Sequence, residues 1–318
     1  MTFFSILCAL LIEQLQPLRA DNPIYAAIKL FAMRVESWCN AGEPQNGRLG
    51  WWIVVLTLTL PTALVYWICL YKLNIFAVLL WNILIVYLTL GFRHYSHYFT
   101  SIQLALNSGD EDTARSLLAE WTKTDTTGLN VSEISRLAVE KSLITSHRSV
   151  FGVFFWFLMP VGPVCAVLYR VAEHLSRVWN EPQNMKNESF GLYAARIFYL
   201  IDWIPSRLTG IAFAVVGNFE DAIYAWRNFA HRWKNESEGI ILASGGGAIG
   251  VCLGGAQENA IEIPIDMVIV DAVASEAETM PGEPATVRSL QSAVGLVWRA
   301  LLLWMLLLLL LSMAVWLA

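Results

Sequence analysis

Hydrophobic positions fall into long blocks separated by short polar stretches, and the block lengths predict helices that cross a membrane. Residues 51–70 are apolar, open with Trp51 and Trp52 and close with Tyr66 and Trp67, as the aromatic flanks of a spanning helix do. Pro61 lies inside this block as a point of kinking. After a tight turn at Tyr71, Lys72 and Leu73, residues 74–90 return as a second span, giving a transmembrane hairpin. Residues 295–317 form a C-terminal span, with Arg299 near its start and no acid or base beyond. The first apolar block, residues 2–12, is short and ends at Glu13 and Gln14, which predicts an interfacial or protein-packed helix. No Lys or Arg precedes it and no small-residue cleavage motif follows, so it is not read as a signal peptide.

Between these blocks the periodicity changes. Residues 26–36 place Ile28, Phe31, Ala32 and Val35 on one side, an amphipathic helix suited to a membrane surface. Residues 93–149 are the largest polar stretch, with helical spacing at 102–106 and 114–121. Asn107, Ser108 and Gly109 supply a helix stop, Asp110 or Asp112 a cap, and a third helix starts at Ser132. Residues 150–171 are apolar and aromatic but interrupted by Met159, Pro160, Gly162 and Pro163, giving either a kinked span or a re-entrant pair. Residues 180–184 form a turn. Residues 239–255 are uncharged and carry too many glycines for an ordinary stable helix. Residues 256–288 are acidic and read as a weakly ordered loop. The organisation is therefore 1–49, N-terminal helices; 50–91, hairpin; 92–149, helical layer; 150–255, membrane core; 256–294, acidic loop; and 295–318, final span. Lys and Arg gather in 17–49 (Arg19, Lys29, Arg34, Arg48) and 93–149 (Arg93, Arg115, Lys123, Arg136, Lys141, Arg148), which places both on the cytoplasmic side.

Composition agrees with the pattern. Of 318 residues, 56% are hydrophobic and only 15% charged, the balance of a polytopic membrane protein. A formal net charge of −5 argues against nucleic acid as a partner. Five cysteines at 8, 39, 69, 165 and 252 have no CxxC spacing and make neither a disulfide framework nor a zinc site. His94 and His97 could share a helix face, but no carboxylate or Cys joins them at ligand spacing, so a polar cluster at a membrane exit is preferred and no metal site is assigned. His147 and Arg148 are read the same way. The run from Gly245 to Gly250 lacks the Lys of a phosphate-binding Walker loop, which favours close helix approach over anion binding. No GxSxG or HExxH motif occurs.

The exception to this quiet chemistry is the apolar run 197–216, which carries Asp202 and Arg207. A lone charge in hydrocarbon costs about 2.5–3.5 kcal/mol on insertion scales, so the two are expected to pair or to face a wet cavity. Pro205 between them is expected to kink or break the helix. The same residues equally suit a structural ion pair that locks two helices.

Several segments resemble the CobD/CbiB family of cobalamin-biosynthesis membrane proteins, to which the AmpE proteins also look related. They are Leu106 to Asp110 with Ala114 and Arg115; Val139, Glu140 and Ser142; Phe155 and Trp156; Gly162 and Pro163; and Leu168, Tyr169 and Arg170. Phe190 and Gly191, Ala194 to Arg196, the Ile-Pro-Ser-Arg-Leu-Thr segment at 204–209, and Gly247 to Gly255 complete the match. The resemblance implies an all-α, polytopic integral membrane protein of the inner membrane of a bacterium. It would have four or five transmembrane helices plus a cytoplasmic helical layer. It implies a synthase that joins aminopropanol, or its phosphate, to a corrinoid propionate with ATP and Mg. Glu140 and Asp202 would then be catalytic carboxylates. Arg196, Arg207, Thr209, Gly247 and Gly250 would bind substrate. Besides the bilayer and a corrinoid, membrane-protein partners are expected. Departures at 21–25, 144–148, 173–178 and 233–237 remove family carboxylates and amides. With the Met-Thr-Phe-Phe start and Trp203, they motivate an alternative, a non-catalytic AmpE-like sensor linked to β-lactamase induction or cell-wall signalling.

Overall fold

The computed structural model describes residues 2–16, 23–40, 44–180, 188–254 and 280–317. Among them the chain is helical, with one isolated parallel bridge between Val251 and Glu283. Three helices are long and apolar enough to cross a membrane, over Asn46–Lys72, Phe190–Val216 and Val287–Ala314. Two shorter apolar helices accompany them, Thr2–Leu15 and Ile75–Thr89. The all-α membrane architecture expected from the hydrophobic pattern is thus present. The second arm of the hairpin differs, because its 15-residue helix spans only about 22 Å, against roughly 30 Å of hydrocarbon core.

The chain divides into two compact units. Unit 1 holds Met1–Tyr95, Arg148–Pro205 and Met305–Ala318; unit 2 holds Ser96–His147 and Ser206–Trp304.

In unit 1, α1 (Thr2–Leu15) packs on α4 (Ile75–Thr89) through Ile6, Ala9 and Leu10, which are buried. The first apolar block is therefore protein-packed. α2 (Pro23–Cys39) begins at Pro23, whose missing N–H is harmless in a first turn, and turns Ala32 and Val35 inward. α3 (Pro44–Lys72) runs unbroken through Pro61 and lies against α2, α4 and α9. Asn74 caps α4 by accepting from the Ala77 N–H at 3.1 Å. The aromatic block after residue 150 is interrupted, as the Met159–Pro163 signals predicted. A π-helical turn (His147–Phe151) leads into the short α8 (Gly152–Phe157), and α9 (Gly162–Val178) packs back against it. Gly152 is required because any Cβ there would strike the Tyr169 hydroxyl.

In unit 2, most of α5 (Phe92–Asn107) is followed by α6 (Glu111–Thr122) and α7 (Val131–Ser146). Gly109 takes a left-handed turn and Asp110, not Asp112, caps α6. α7 starts earlier than expected, on a capping box in which Asn130 and Glu133 bond each other's backbone N–H. The deepest helix is α12 (Glu236–Ile249), buried from Gly239 through Ala248. It packs on α7 and on α11 (Phe219–Phe229). The expectation that the glycine block cannot be helical is corrected here. Ala222 Cα and the Asp221 carbonyl oxygen lie 2.8 and 2.5 Å from where a Gly247 Cβ would stand, and Leu143 lies 2.7 Å from that of Gly245. Backbone contact made possible by missing side chains outweighs the low helix propensity of glycine.

Candidate functional site

α10 (Glu188–Val216) carries the Asp202–Arg207 segment, and it too runs without interruption through its proline. The expected break at Pro205 is absent, although unit 1 ends at Pro205 and unit 2 begins at Ser206. Five residues along a continuous helix turn through about 500°, which sends the two side chains to different sides. Each has its own partner. Asp202, 2% exposed, accepts a 2.8 Å hydrogen bond from the Tyr169 hydroxyl of α9. Arg207 Nη2 lies 2.8 Å from Glu236 Oε1 at the start of α12. The acid and the base therefore serve two different local clusters.

The unit 2 cluster is built on α7. Glu140 Oε1 accepts from Arg136 Nη1 at 2.9 Å, one turn earlier on the same helix, and from the Gly254 N–H at 2.8 Å. A largely buried carboxylate thus ties α7 to the end of the glycine block. Gly250, at φ +70°, ends α12 in the left-handed conformation that turns the chain back toward Glu140. Cys252 bonds backbone to Glu283, and its thiol is pushed above the usual range by burial, with Arg136 acting against this. At the far end of α7, His147 is fully buried and its Nδ1 lies 2.9 Å from Thr209 Oγ1, itself fully buried on α10. Of the residues expected to act, Glu140, Arg207, Thr209, Gly247 and Gly250 fall in this unit. Gly247 serves the contact with α11, and Gly250 the turn.

The other two fall in unit 1. Arg196 is exposed on α10. Asp202 belongs with Tyr169 beside a charged face of α9: Arg170, Glu173, His174 and Arg177 follow one another at helical spacing. Glu173 lies 3.4 Å from both Arg170 Nη1 and Arg177 Nε. Burial would raise its carboxyl, but Arg177, Arg170 and Arg148 outweigh that and hold it at about 2. His174 is held at about 4 by burial, then by the charge of Arg177.

The sequence reads His147 as part of a polar cluster at a membrane exit, which its full burial corrects, and gives Arg136 and this α9 face no place in a site. The i, i+3, i+4, i+7 spacing of its charges was the available signal; nothing local marks His147 as buried. The side chain of His94 lies outside the described residues, as do Asp21 and Asn22 of the 21–25 departure, most of the 180–184 turn, Gly255 and most of the acidic loop. Among the described residues no group of three His, Cys, Asp or Glu stands ready to hold a metal ion.

Comparison with known proteins bears on both clusters. The profile of the CobD/Cbib protein family matches residues 6–279. A "Cobalamin biosynthesis protein CobD" of Stutzerimonas stutzeri is 31% identical over 315 residues, covering 96% of this chain and 97% of its own. A protein of the same name from Chromobacterium violaceum is 33% identical over 171 residues, covering 54% of each chain. No solved structure matches. These relatives lend nothing to the AmpE-like alternative. With both clusters inside the matched span and one relative aligned nearly end to end, the chain belongs to the CobD/CbiB family.

Proposed function

We propose that this protein acts in cobalamin biosynthesis, in the inner membrane of a bacterium, as an ATP-dependent amide synthase. It would join the amine of aminopropanol, or of its phosphate, to a propionate carboxyl of adenosylcobyric acid, giving adenosylcobinamide or its phosphate. The observation that carries the reading is the end-to-end likeness to a cobalamin-biosynthesis protein, with Glu140 held at the centre of unit 2.

Amide formation makes a C–N bond, breaks the C–O bond to a carboxyl oxygen that leaves with a phosphoryl group of ATP, and removes two protons from the ammonium. Glu140 is the residue suited to receive the ammonium, because Arg136 and the Gly254 N–H fix its carboxylate in one orientation. Arg207, held by Glu236, is suited to an anionic group of the substrates. Thr209 and His147 act as support, since both are fully buried. ATP would supply the activation of the carboxylate. Mg commonly binds through one or two carboxylates plus the nucleotide's own phosphates.

The test uses protein purified in mild detergent with adenosylcobyric acid, Mg-ATP and either aminopropanol or its phosphate, and reads the amide product by chromatography and mass spectrometry. ATP-dependent product from the parent is expected, with a loss of about a hundredfold or more in a Glu140→Gln variant that remains folded. A folded parent that yields no product with either amine would overturn the reading.

A further inference from the structure

Unit 1 contains a second polar centre that the amide-forming reaction does not use. It lies where α9 faces α2. Two cations of α9, Arg170 and Arg177, flank one buried carboxylate, Glu173; Arg148 acts on the same carboxylate, and Lys29 of α2 acts on His174. Both ion pairs of Glu173 are long, at 3.4 Å, where well-formed charge-assisted bonds run near 2.7–2.9 Å. Glu173 therefore holds the two arginines only loosely, Arg170 being bonded to the Tyr25 side chain as well.

Two buried donors in this centre also lack an acceptor among the described residues. His174, 7% exposed, receives Arg177 Nη2 on its Nδ1 at 3.4 Å, which leaves the proton on Nε2; that Nε2 is buried and has no partner. Arg170 Nε is likewise buried and unpartnered, one turn away, while its guanidinium lies over the Tyr25 ring. A buried N–H without an acceptor costs about 1–3 kcal/mol and persists where a ligand or ordered solvent completes it. Loosely paired arginines and unsatisfied donors call for a ligand that is anionic and made of acceptors. Arg177, with half its side chain exposed, gives the centre an opening.

We propose that the α9–α2 face of unit 1 is a binding site for a phosphate group, held by Arg170, His174 and Arg177. The phosphate is that of a small soluble phosphoester or of the headgroup of an anionic phospholipid, since α3 beside α9 is of membrane-crossing length. This inference does not rest on the amide-forming reaction, and its test contains neither corrinoid nor ATP.

The experiment uses the full chain, purified and delipidated in neutral detergent. Calorimetry with inorganic phosphate forms one arm. Native mass spectrometry after exchange into phosphatidylglycerol or phosphatidylcholine forms the other. Binding of inorganic phosphate identifies a small-molecule site; selective retention of phosphatidylglycerol identifies a headgroup site. In either arm Arg177→Gln, at a half-exposed position that tolerates change, is expected to weaken binding about tenfold. His174→Phe, which fills the same space without donors, is expected to do the same. Parent protein that takes up neither probe, or variants that bind as well as the parent, would overturn the proposal.

Discussion

Tyr169 and Asp202 meet where both are almost wholly out of solvent, so the hydroxyl of one is an acceptor-matched donor for the other. Tyr169→Phe keeps the ring that packs near Gly152 and Phe198 and removes only the donor. A loss of about 1–3 kcal/mol is expected, read as a lowered unfolding temperature in detergent, and an unchanged temperature would mean that the bond contributes nothing. The α9 face adds a pH dependence. Glu173 is held at about 2 and His174 at about 4, each below its unfolded value of roughly 4.3 and 6.5. The unfolded chain therefore binds more protons across this window, and stability falls with pH. His174 contributes fully above pH 6.5 and loses its contribution toward pH 4; Glu173 follows between about 4.3 and 2. Unfolding temperatures from pH 7.5 to 4 should decline, and His174→Gln should flatten the upper part of that decline.

At the scale of elements, glycine is what separates a correct expectation from a wrong one. Summed propensity argued against a helix at residues 239–255, yet α12 forms because α11 and α7 come close enough to need no side chains there. Gly247→Ala puts a Cβ against backbone atoms of α11, which cannot swing aside. A loss of about 1–3 kcal/mol is expected. Gly295 in α13 (Val287–Leu317) is the control, because nothing lies within 4 Å of its added Cβ. There Gly295→Ala is expected to gain roughly 0.5–1 kcal/mol. The two substitutions, measured by thermal unfolding under one set of conditions, should move in opposite directions. Equal effects would show that propensity, not contact, governs both. The prolines teach a similar lesson, since α3 and α10 carry Pro61 and Pro205 inside unbroken helices. A membrane-length helix retains enough other backbone bonds and neighbours to hold its course.

For the whole molecule, three helices of crossing length predict that the protein stays with the membrane pellet through alkaline carbonate and leaves only with detergent. Release by carbonate would mean that these helices are buried against protein rather than lipid. Family membership was legible in the sequence because the matching residues sit in order along the chain, and that order survives without any knowledge of contacts. The candidate site was legible only in part. Glu140 and the glycine block were singled out separately, 114 residues apart, and nothing in their spacing says that they bond.

The hydrophobic pattern by itself determined the helical class, the long apolar helices and the interruption after residue 157, because each depends on residues within a few turns of one another. The tertiary structure alone decided that Asp202 belongs with Tyr169 and Arg207 with Glu236, that His147 is buried on Thr209, and which helices the glycines bring together. The reason is physical: a buried charge must find a partner, but which one depends on what distant parts of the chain bring within about 3 Å.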